Sequence, residues 1–216
     1  MQFIILSGVS GKRLWPLSND VRSKQFLKML PGEAGEPESM IMRVYRQIMA
    51  VAGEARVTIA TGKKQVSAIK NQLGDKVNVC VEPDRRDTFP AVCLSAAYLK
   101  DKQQALEEET VVICPVDPYV EPGYFQALGE MAGLAEKGEA RLVLMGIEPT
   151  YPSEKYGYII PSSWETVSGV ETFREKPDLE TARGYLRQGA LWNGGVFACK
   201  LGYLLEKARE RFVVSD

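Results

Sequence analysis

The chain has 216 residues, of which 45% are hydrophobic and 25% charged, the balance of a folded domain with a filled core and not of a disordered tail or a fibre. Lys and Arg total 27 against 28 Asp and Glu, so no net field recruits nucleic acid or an anionic membrane, and any phosphate binding must be local. Histidine is absent, which removes the commonest general base, the Ser-His and Cys-His nucleophile pairs, and every zinc site built on imidazole. The remaining chemistry is electrostatic, or uses Lys, Arg, Asp and Glu.

Phe3-Ile4-Ile5-Leu6 runs into Gly8 and Lys12-Arg13 without the basic flank or apolar length of a signal peptide. No stretch reaches the roughly 20 apolar residues of a membrane span. Cys80, Cys93, Cys114 and Cys199 lie far apart, without C-x-x-C spacing, inside apolar runs where a reduced thiol packs as a small hydrophobe. A cytoplasmic protein is expected, with neither nucleic acid nor membrane as a partner.

Short Val- and Ile-rich runs at 3–6, 57–60, 77–81, 111–114 and 142–147 predict strands. They alternate with amphipathic stretches at 39–51, 65–73, 89–102 and 124–136 that predict helices. Thr88 is placed to cap the third, with Pro90 near its first turn. This rhythm implies an α/β fold of three layers, α/β/α, around a mostly parallel but mixed central sheet. Beyond Ile147 the texture changes, with Pro149, Pro152 and Tyr156-Gly157-Tyr158 followed by a strand at 170–173, a helix at 179–187, a strand at 193–199 and a helix at 201–211. The expectation is one domain with a first lobe at 1–147 and a second at 148–216. Ligands of such sheets bind beyond the carboxyl ends of the strands, so the loops after each run are the places for chemistry.

After the first strand, Ser7-Gly8-Val9-Ser10-Gly11-Lys12-Arg13 offers backbone amides and two cations to an anion, or is a Gly-rich turn with solvated charges. It is not a P-loop, because Leu6 stands where the first glycine of that pattern belongs and Arg13 where Ser or Thr belongs. Glu82, after the 77–81 run, is a strand-end carboxylate that faces a ligand, caps the next helix or pairs with Arg86. Asp117, three residues past Cys114, is a strand-end carboxylate placed for a ligand, or one that caps a turn.

The segment continues Leu14-Trp15-Pro16-Leu17 and Lys24-Gln25-Phe26, and here it resembles the first signature of sugar nucleotidyltransferases, in the form typical of mannose-1-phosphate guanylyltransferases. The likeness recurs in order at Glu82-Pro83, Arg86, Thr88 and Pro90-Ala91, at Pro115 and Asp117, at Gly146-Ile147, Pro149-Thr150 and Pro152, at Tyr156-Gly157-Tyr158-Ile159, at Glu175-Lys176-Pro177-Asp178, and at Trp192-Asn193, Gly195 and Phe197. The resemblance implies a nucleotide-diphospho-sugar transferase-like fold. It also implies transfer of a nucleotidyl group from GTP to mannose-1-phosphate, giving GDP-mannose and pyrophosphate with Mg²⁺ as the metal. Such a reaction needs no general base, since its nucleophile is already an anion, and this agrees with a sequence lacking histidine.

By position in these motifs, Arg13, Lys24, Asp117 and Lys176 are the catalytic candidates. Ser7, Gly8, Gly11, Lys12, Arg13, Glu82 and Thr88 would bind the nucleotide, Glu82 by accepting the N1 and N2 hydrogens of guanine and Thr88 alternatively only capping, and Asp117 would hold Mg²⁺ bridging the phosphates. Gly157, Glu175, Lys176 and Asn193 would bind the sugar phosphate; taken alone, Glu175-Lys176 is equally a solvated charge pair. Val9, Ser23, Asp87 and Pro118 depart from the usual pattern, though none removes a charged group. Members of the family continue past the Trp-Asn motif, so the second aspartate of the metal site is expected beyond Asp216, and a homodimer is the assembly the resemblance allows. Two other readings remain: a nucleotide-sugar-binding module of impaired catalysis, and a nucleotidyltransferase for another hexose-1-phosphate.

Overall fold

The computed structural model describes residues 1–8, 15–19, 23–84 and 86–212. It is an α/β fold with a mixed, mostly parallel central sheet, and it divides into two compact units. The first comprises Met1–Val143 and the chain from Phe197 onward; the second is Leu144–Val196.

In the first unit, β1 (Gln2–Leu6), β4 (Arg56–Gly62), β5 (Asn78–Glu82) and β6 (Thr110–Pro115) are parallel in the order β5-β4-β1-β6, and the last part of β10 (Leu191–Lys200) adds an antiparallel strand beside β6. Strands covered on both faces need apolar side chains in both directions. Phe3, Ile4 and Ile5 of β1 and Val111, Val112, Ile113 and Cys114 of β6 meet that need, each 0 or 1% exposed. On one face Ile4, Val111 and Ile113 pack under Val92, Ala96 and Leu99 of α3 (Thr88–Asp101) and Leu201, Leu204 and Leu205 of α6 (Leu201–Arg211). Elsewhere α4 (Pro122–Lys137) packs on β6, and α1 (Met40–Ala52) packs on α4.

α1 buries Ile41, Val44 and Ile48, the i, i+3, i+7 stripe of an amphipathic helix, and starts at Ser39, whose hydroxyl accepts from the Met42 amide. α2 (Val66–Leu73) buries Ile69 and Leu73. For α3 the cap is one residue earlier than the expected Thr88. Asp87 holds φ at 78° and accepts from the Thr88 amide at 2.7 Å, so Thr88 is the first helical residue. A carboxylate so close to the free amides satisfies the helix end better than the hydroxyl. A two-stranded hairpin, β2 (Lys28–Pro31) with β3 (Pro37–Ser39), was not expected.

In the second unit, β8 (Tyr158–Pro161) pairs antiparallel with β9 (Val170–Arg174) and with the first part of β10, while β7 (Leu142–Ile147) also pairs with β10. A small core of Tyr158, Ile160, Ala182 and Ala190 lies under α5 (Leu179–Arg187). Asp178 caps α5, accepting from the Thr181 amide and hydroxyl at 2.9 Å each.

The expected division at 147/148 had kept the last helix with the second lobe; instead β10 carries the chain back, and α6 packs on α3 in the first unit. Among the described residues no helix is long and apolar enough to cross a membrane.

Candidate active site

The register of the parallel strands brings most of the first unit's candidates to one rim. Leu6 is level with Ala60 and with Pro115, and Gly62 with Glu82. Ser7-Gly8, Glu82 and Asp117 therefore all follow strand ends on the same side, where an open α/β sheet binds ligands. A Cβ placed on Gly8 would stand 3.4 Å from Glu82 Oε1, so the Gly8 backbone and the Glu82 carboxylate are neighbours. Glu82 is 8% exposed.

Ser7 is fully buried: its backbone amide donates to Ala60, and both its carbonyl and its hydroxyl accept from Gln25 Nε2 at 3.2 Å. Its part is to hold the start of the loop. Thr88 is exposed, with its amide on Asp87. Gly11, Lys12 and Arg13 lie outside the described residues, as do Val9, Arg22 and Asp216.

Lys24 stands on a 3-10 turn, Lys24–Phe26, and its ammonium donates to Asp117 Oδ2 at 2.7 Å. Two of the catalytic candidates, one of them the expected metal ligand, are thus joined across 93 positions of sequence. Both flanks of the turn are pinned by buried polar side chains. Ser23 Oγ accepts from Gln65 Nε2 at 2.7 Å, Gln65 Oε1 accepts from Thr61 Oγ1 at 2.8 Å, and Gln25 is bound to Ser7 as above. Ser23, Gln25, Thr61 and Gln65 are each no more than 1% exposed. These buried hydrogen bonds are strong in so low a dielectric and hold the turn in place, although Gln25 Oε1 has no partner among the described residues. Lys24 therefore carries a partly exposed side chain on a fixed backbone.

Asp117 side-chain exposure is 35%. Beyond it, Arg43 of α1 places its guanidinium 4.8 Å from the ring centre of Tyr119, tying α1 to the loop that carries Asp117. Tyr124 on α4 keeps a buried hydroxyl without a hydrogen-bond partner among the described residues. Burial first, then the neighbouring Cys114 and Asp117, push this phenol up, so it stays a neutral donor close to the carboxylate. Gln65, Arg43 and Tyr124 carried no sequence signal of their own, and Gln25 stood out only as part of the Lys24-Gln25-Phe26 motif.

A lone carboxylate, partly open to solvent at a strand end, suits Mg²⁺, which keeps waters and shares its sphere with phosphate oxygens instead of occupying a full protein cage. The donor set fits to that extent: among the described residues no group of three or more His, Cys, Asp or Glu could hold a metal. A separate cavity of 740 Å³, lined by Pro16, Leu17, Phe26, Leu27, Met29 and part of α2, presents Lys28 as the only charged residue among its described lining and no carboxylate, so it is unsuited to metal-phosphate chemistry.

The second unit gathers its own candidates. A Cβ on Gly157 would meet Glu175 Oε2 at 2.7 Å, Phe173 Cζ at 3.1 Å and Asn193 Cβ at 3.4 Å. The Gly157 carbonyl accepts from the Asn193 amide at 2.8 Å. Asn193 Oδ1 accepts from the Gly195 amide at 3.1 Å, which orients Nδ2 as a donor. The turn that permits this has Gly195 at φ 68°, a conformation glycine adopts without strain. Lys176 is held at φ 43°, its amide on the Tyr156 carbonyl at 3.3 Å, and its ammonium lies 3.2 Å from Glu175 Oε1. A lysine in the left-handed region is uncommon, and such positions cluster at functional sites. Gly157, Glu175, Lys176 and Asn193, drawn from three motifs, thus converge on one patch. Trp192 beside them packs against Tyr156 and Tyr151, with ring centres 4.7 and 5.1 Å away.

A family model described as Nucleotidyl transferase matches residues 2–216. The chain is 36% identical over 213 residues to the xanthan biosynthesis protein XanB of Xanthomonas campestris pv. campestris (strain B100), covering 96% of this chain and 44% of the relative. It is 32% identical over 208 residues to a mannose-1-phosphate guanylyltransferase of Escherichia coli, covering 90% of this chain and 43% of that one. Among solved structures it is similar to a Thermus thermophilus protein described as a mannose-1-phosphate geranyltransferase, with a TM-score of 0.78 and 32% identity over 96% of this chain and 59% of that one. The chain spans less than half the length of these curated relatives. With that order of motifs, that sheet and a family match running nearly end to end, the chain belongs to the nucleotidyl transferase family, among the sugar nucleotidyltransferases.

Proposed function

We propose that this chain forms GDP-mannose and pyrophosphate from GTP and mannose-1-phosphate. The observation that carries the reading is the pairing of Lys24 with Asp117 on the rim that also presents Gly8 and Glu82. A polyanion needs a cation there, and a metal needs a carboxylate. The mannose-1-phosphate guanylyltransferase of Escherichia coli among the relatives supports the choice of base and sugar.

In this reading Glu82 accepts the N1 and N2 hydrogens of guanine, a pair that adenine, cytosine and uracil do not offer, and the Gly8 backbone leaves room for the nucleotide beside it. Arg13 holds the β- and γ-phosphates. Lys24 moves from Asp117 to a phosphate oxygen near the α-phosphorus and neutralises charge there. Mg²⁺ held by Asp117 supplies Lewis-acid charge to the phosphates when bound. In the second unit Glu175 accepts from sugar hydroxyls, Asn193 Nδ2 donates to one, and Lys176 grips the sugar phosphate. An oxygen of that phosphate attacks the α-phosphorus, the bond to the β-phosphate oxygen breaks, and pyrophosphate leaves. The protein's contribution is alignment and charge neutralisation.

The test is phosphate release from the chain with GTP, mannose-1-phosphate, Mg²⁺ and inorganic pyrophosphatase, with ATP, UTP and dTTP as competitors. Metal-dependent turnover, competed by none of the three, is expected. Turnover with another triphosphate in preference to GTP overturns the assignment of the base.

A second reading, a nucleotide-sugar-binding module without turnover, is favoured by Val9, a β-branched residue where the family pattern has glycine. Calorimetric binding of GDP-mannose by a chain that neither forms nor pyrophosphorolyses it would select this reading.

A further inference from the structure

We propose that Lys24 keeps Asp117 closed to a divalent cation until the phosphates of a nucleotide draw its ammonium away, so that metal capture follows nucleotide binding. The inference rests on the reading of Asp117 as the metal ligand and names the regulation of that site. Its basis is the 2.7 Å contact between Lys24 Nζ and Asp117 Oδ2.

A cation coordinating this carboxylate sits about 2.1 Å from its oxygen. With the ammonium still in place, three positive charges would share one carboxylate within a few ångströms, and only one negative charge would offset them. The pair is not locked by burial, since the two side chains are 27% and 35% exposed, and an ion pair in that setting parts at little cost. A triphosphate carries several negative charges and attracts the ammonium more strongly than a single carboxylate does. The move requires no backbone change, because Ser23 and Gln25 on either side of Lys24 are fixed by Gln65 and Ser7. Rotation about the lysine side-chain bonds alone transfers the charge.

The device has a chemical use. A carboxylate neutralised by its own lysine does not scavenge metal in the empty protein, and the same lysine arrives at the phosphates in the event that frees the metal ligand. One displacement supplies both positive groups to the reacting centre.

Mn²⁺ is the probe, with free metal read by electron paramagnetic resonance in titrations of the nucleotide-free chain. Wild type is expected to bind it weakly, and Lys24→Met, which keeps the aliphatic stem and removes the charge, about two- to fivefold more tightly. Lys24→Gln should match Lys24→Met, and Lys24→Arg should match wild type. Asp117→Asn should abolish the gain in either neutral background. Far-UV circular dichroism and a melting curve check that each variant is folded. If the neutral variants and wild type bind Mn²⁺ equally while Asp117→Asn weakens all of them, the gating idea fails and the metal assignment stands. If no form binds Mn²⁺ above the Asp117→Asn background, and GTP binding measured by calorimetry is the same with and without metal, both fail together.

Discussion

Gly157→Ala separates the sugar-site reading from simple packing. The new Cβ would lie 2.7 Å from Glu175 Oε2, a distance that atoms do not tolerate, and 3.1 Å from Phe173 Cζ. The Glu175 side chain is 56% exposed and Phe173 is 45% exposed, so both can swing outward. The cost in stability is therefore small, and part of it is offset because alanine has less conformational freedom to lose on folding than glycine, by about 0.4–1 kcal/mol. A net change within about 1 kcal/mol in urea unfolding is expected. Binding should suffer far more. A displaced Glu175 loses its hydrogen bonds to sugar hydroxyls, and a bond to a charged acceptor contributes about 1.5–3 kcal/mol, a loss of about ten- to a hundredfold in affinity for GDP-mannose. Titration calorimetry of Gly157→Ala beside Glu175→Ala reads this, and the two variants should lose affinity alike. Unchanged affinity in Gly157→Ala, or an affinity loss that appears only with a collapse of the unfolding midpoint, would refute the argument.

Gln65→Leu should destabilise by about 2–4 kcal/mol in urea, because the fully buried Ser23 and Thr61 hydroxyls each lose a partner; a loss under about 0.5 kcal/mol would mean that the network is not needed. The cysteines should be silent toward a thiol reagent in the native protein and all four reactive in denaturant, since burial raises Cys80 and Cys93 and pushes Cys114 and Cys199 up to about 12. Glu109 is pushed up by partial burial, but the Leu106 amide, Gln2, Arg56 and the N-terminus outweigh this and hold its carboxyl below the usual range. A depressed acid stabilises the fold above its unfolded value and loses that contribution as pH falls through the folded one, so the effect should fade below about pH 4. Glu109→Gln should cost about 1 kcal/mol at pH 7 and flatten that acid limb; equal acid dependence in both proteins would count against it.

How far the sequence could be read depended on where each residue's partners lie. β1, β4 and β6 are continuous apolar runs, as strands with two covered faces must be, and they stood out; β5 and β7 stood out as apolar runs too, although Val81 and Ile147 are exposed. The β2-β3 hairpin did not, because Lys-Met-Leu-Pro and Pro-Glu-Ser show no alternation and carry prolines. β8 is a four-residue strand hidden inside a motif read for its chemistry. Asp87 took the cap from Thr88 because a positive φ, which no pattern of side chains announces, aims its carboxylate at the helix end. In the candidate site, Gly157, Glu175, Lys176 and Asn193 were legible as motif positions. The Lys24–Asp117 pair was not, since only the level ends of β1 and β6 bring residues 93 positions apart into contact. Gln65 is a single glutamine in a short turn, and its importance lies entirely in the two hydroxyls it touches.

The absence of histidine leads to a last expectation, on pH. No side-chain type in this sequence ordinarily titrates between pH 5 and 8, and the cysteines, which could be perturbed into that range, are pushed the other way by burial. The terminal amine of Met1 lies beside Glu109 at the start of β1, while Gly8, Glu82 and Asp117 follow strand ends at the other edge. In the proposed reaction the group that titrates is the sugar phosphate: a phosphate monoester gives up its second proton near pH 6, and its dianion is the better nucleophile. For the proposed reaction, kcat/KM for mannose-1-phosphate should therefore rise once, with a midpoint of about 6, and stay level to at least about pH 8.5. The midpoint should follow the substrate, shifting down for a sugar phosphate of lower second pKa. A bell-shaped profile, or a midpoint that stays put when the substrate is changed, would show a titrating protein group in the reaction and would contradict the view that this site works by fixed charge alone.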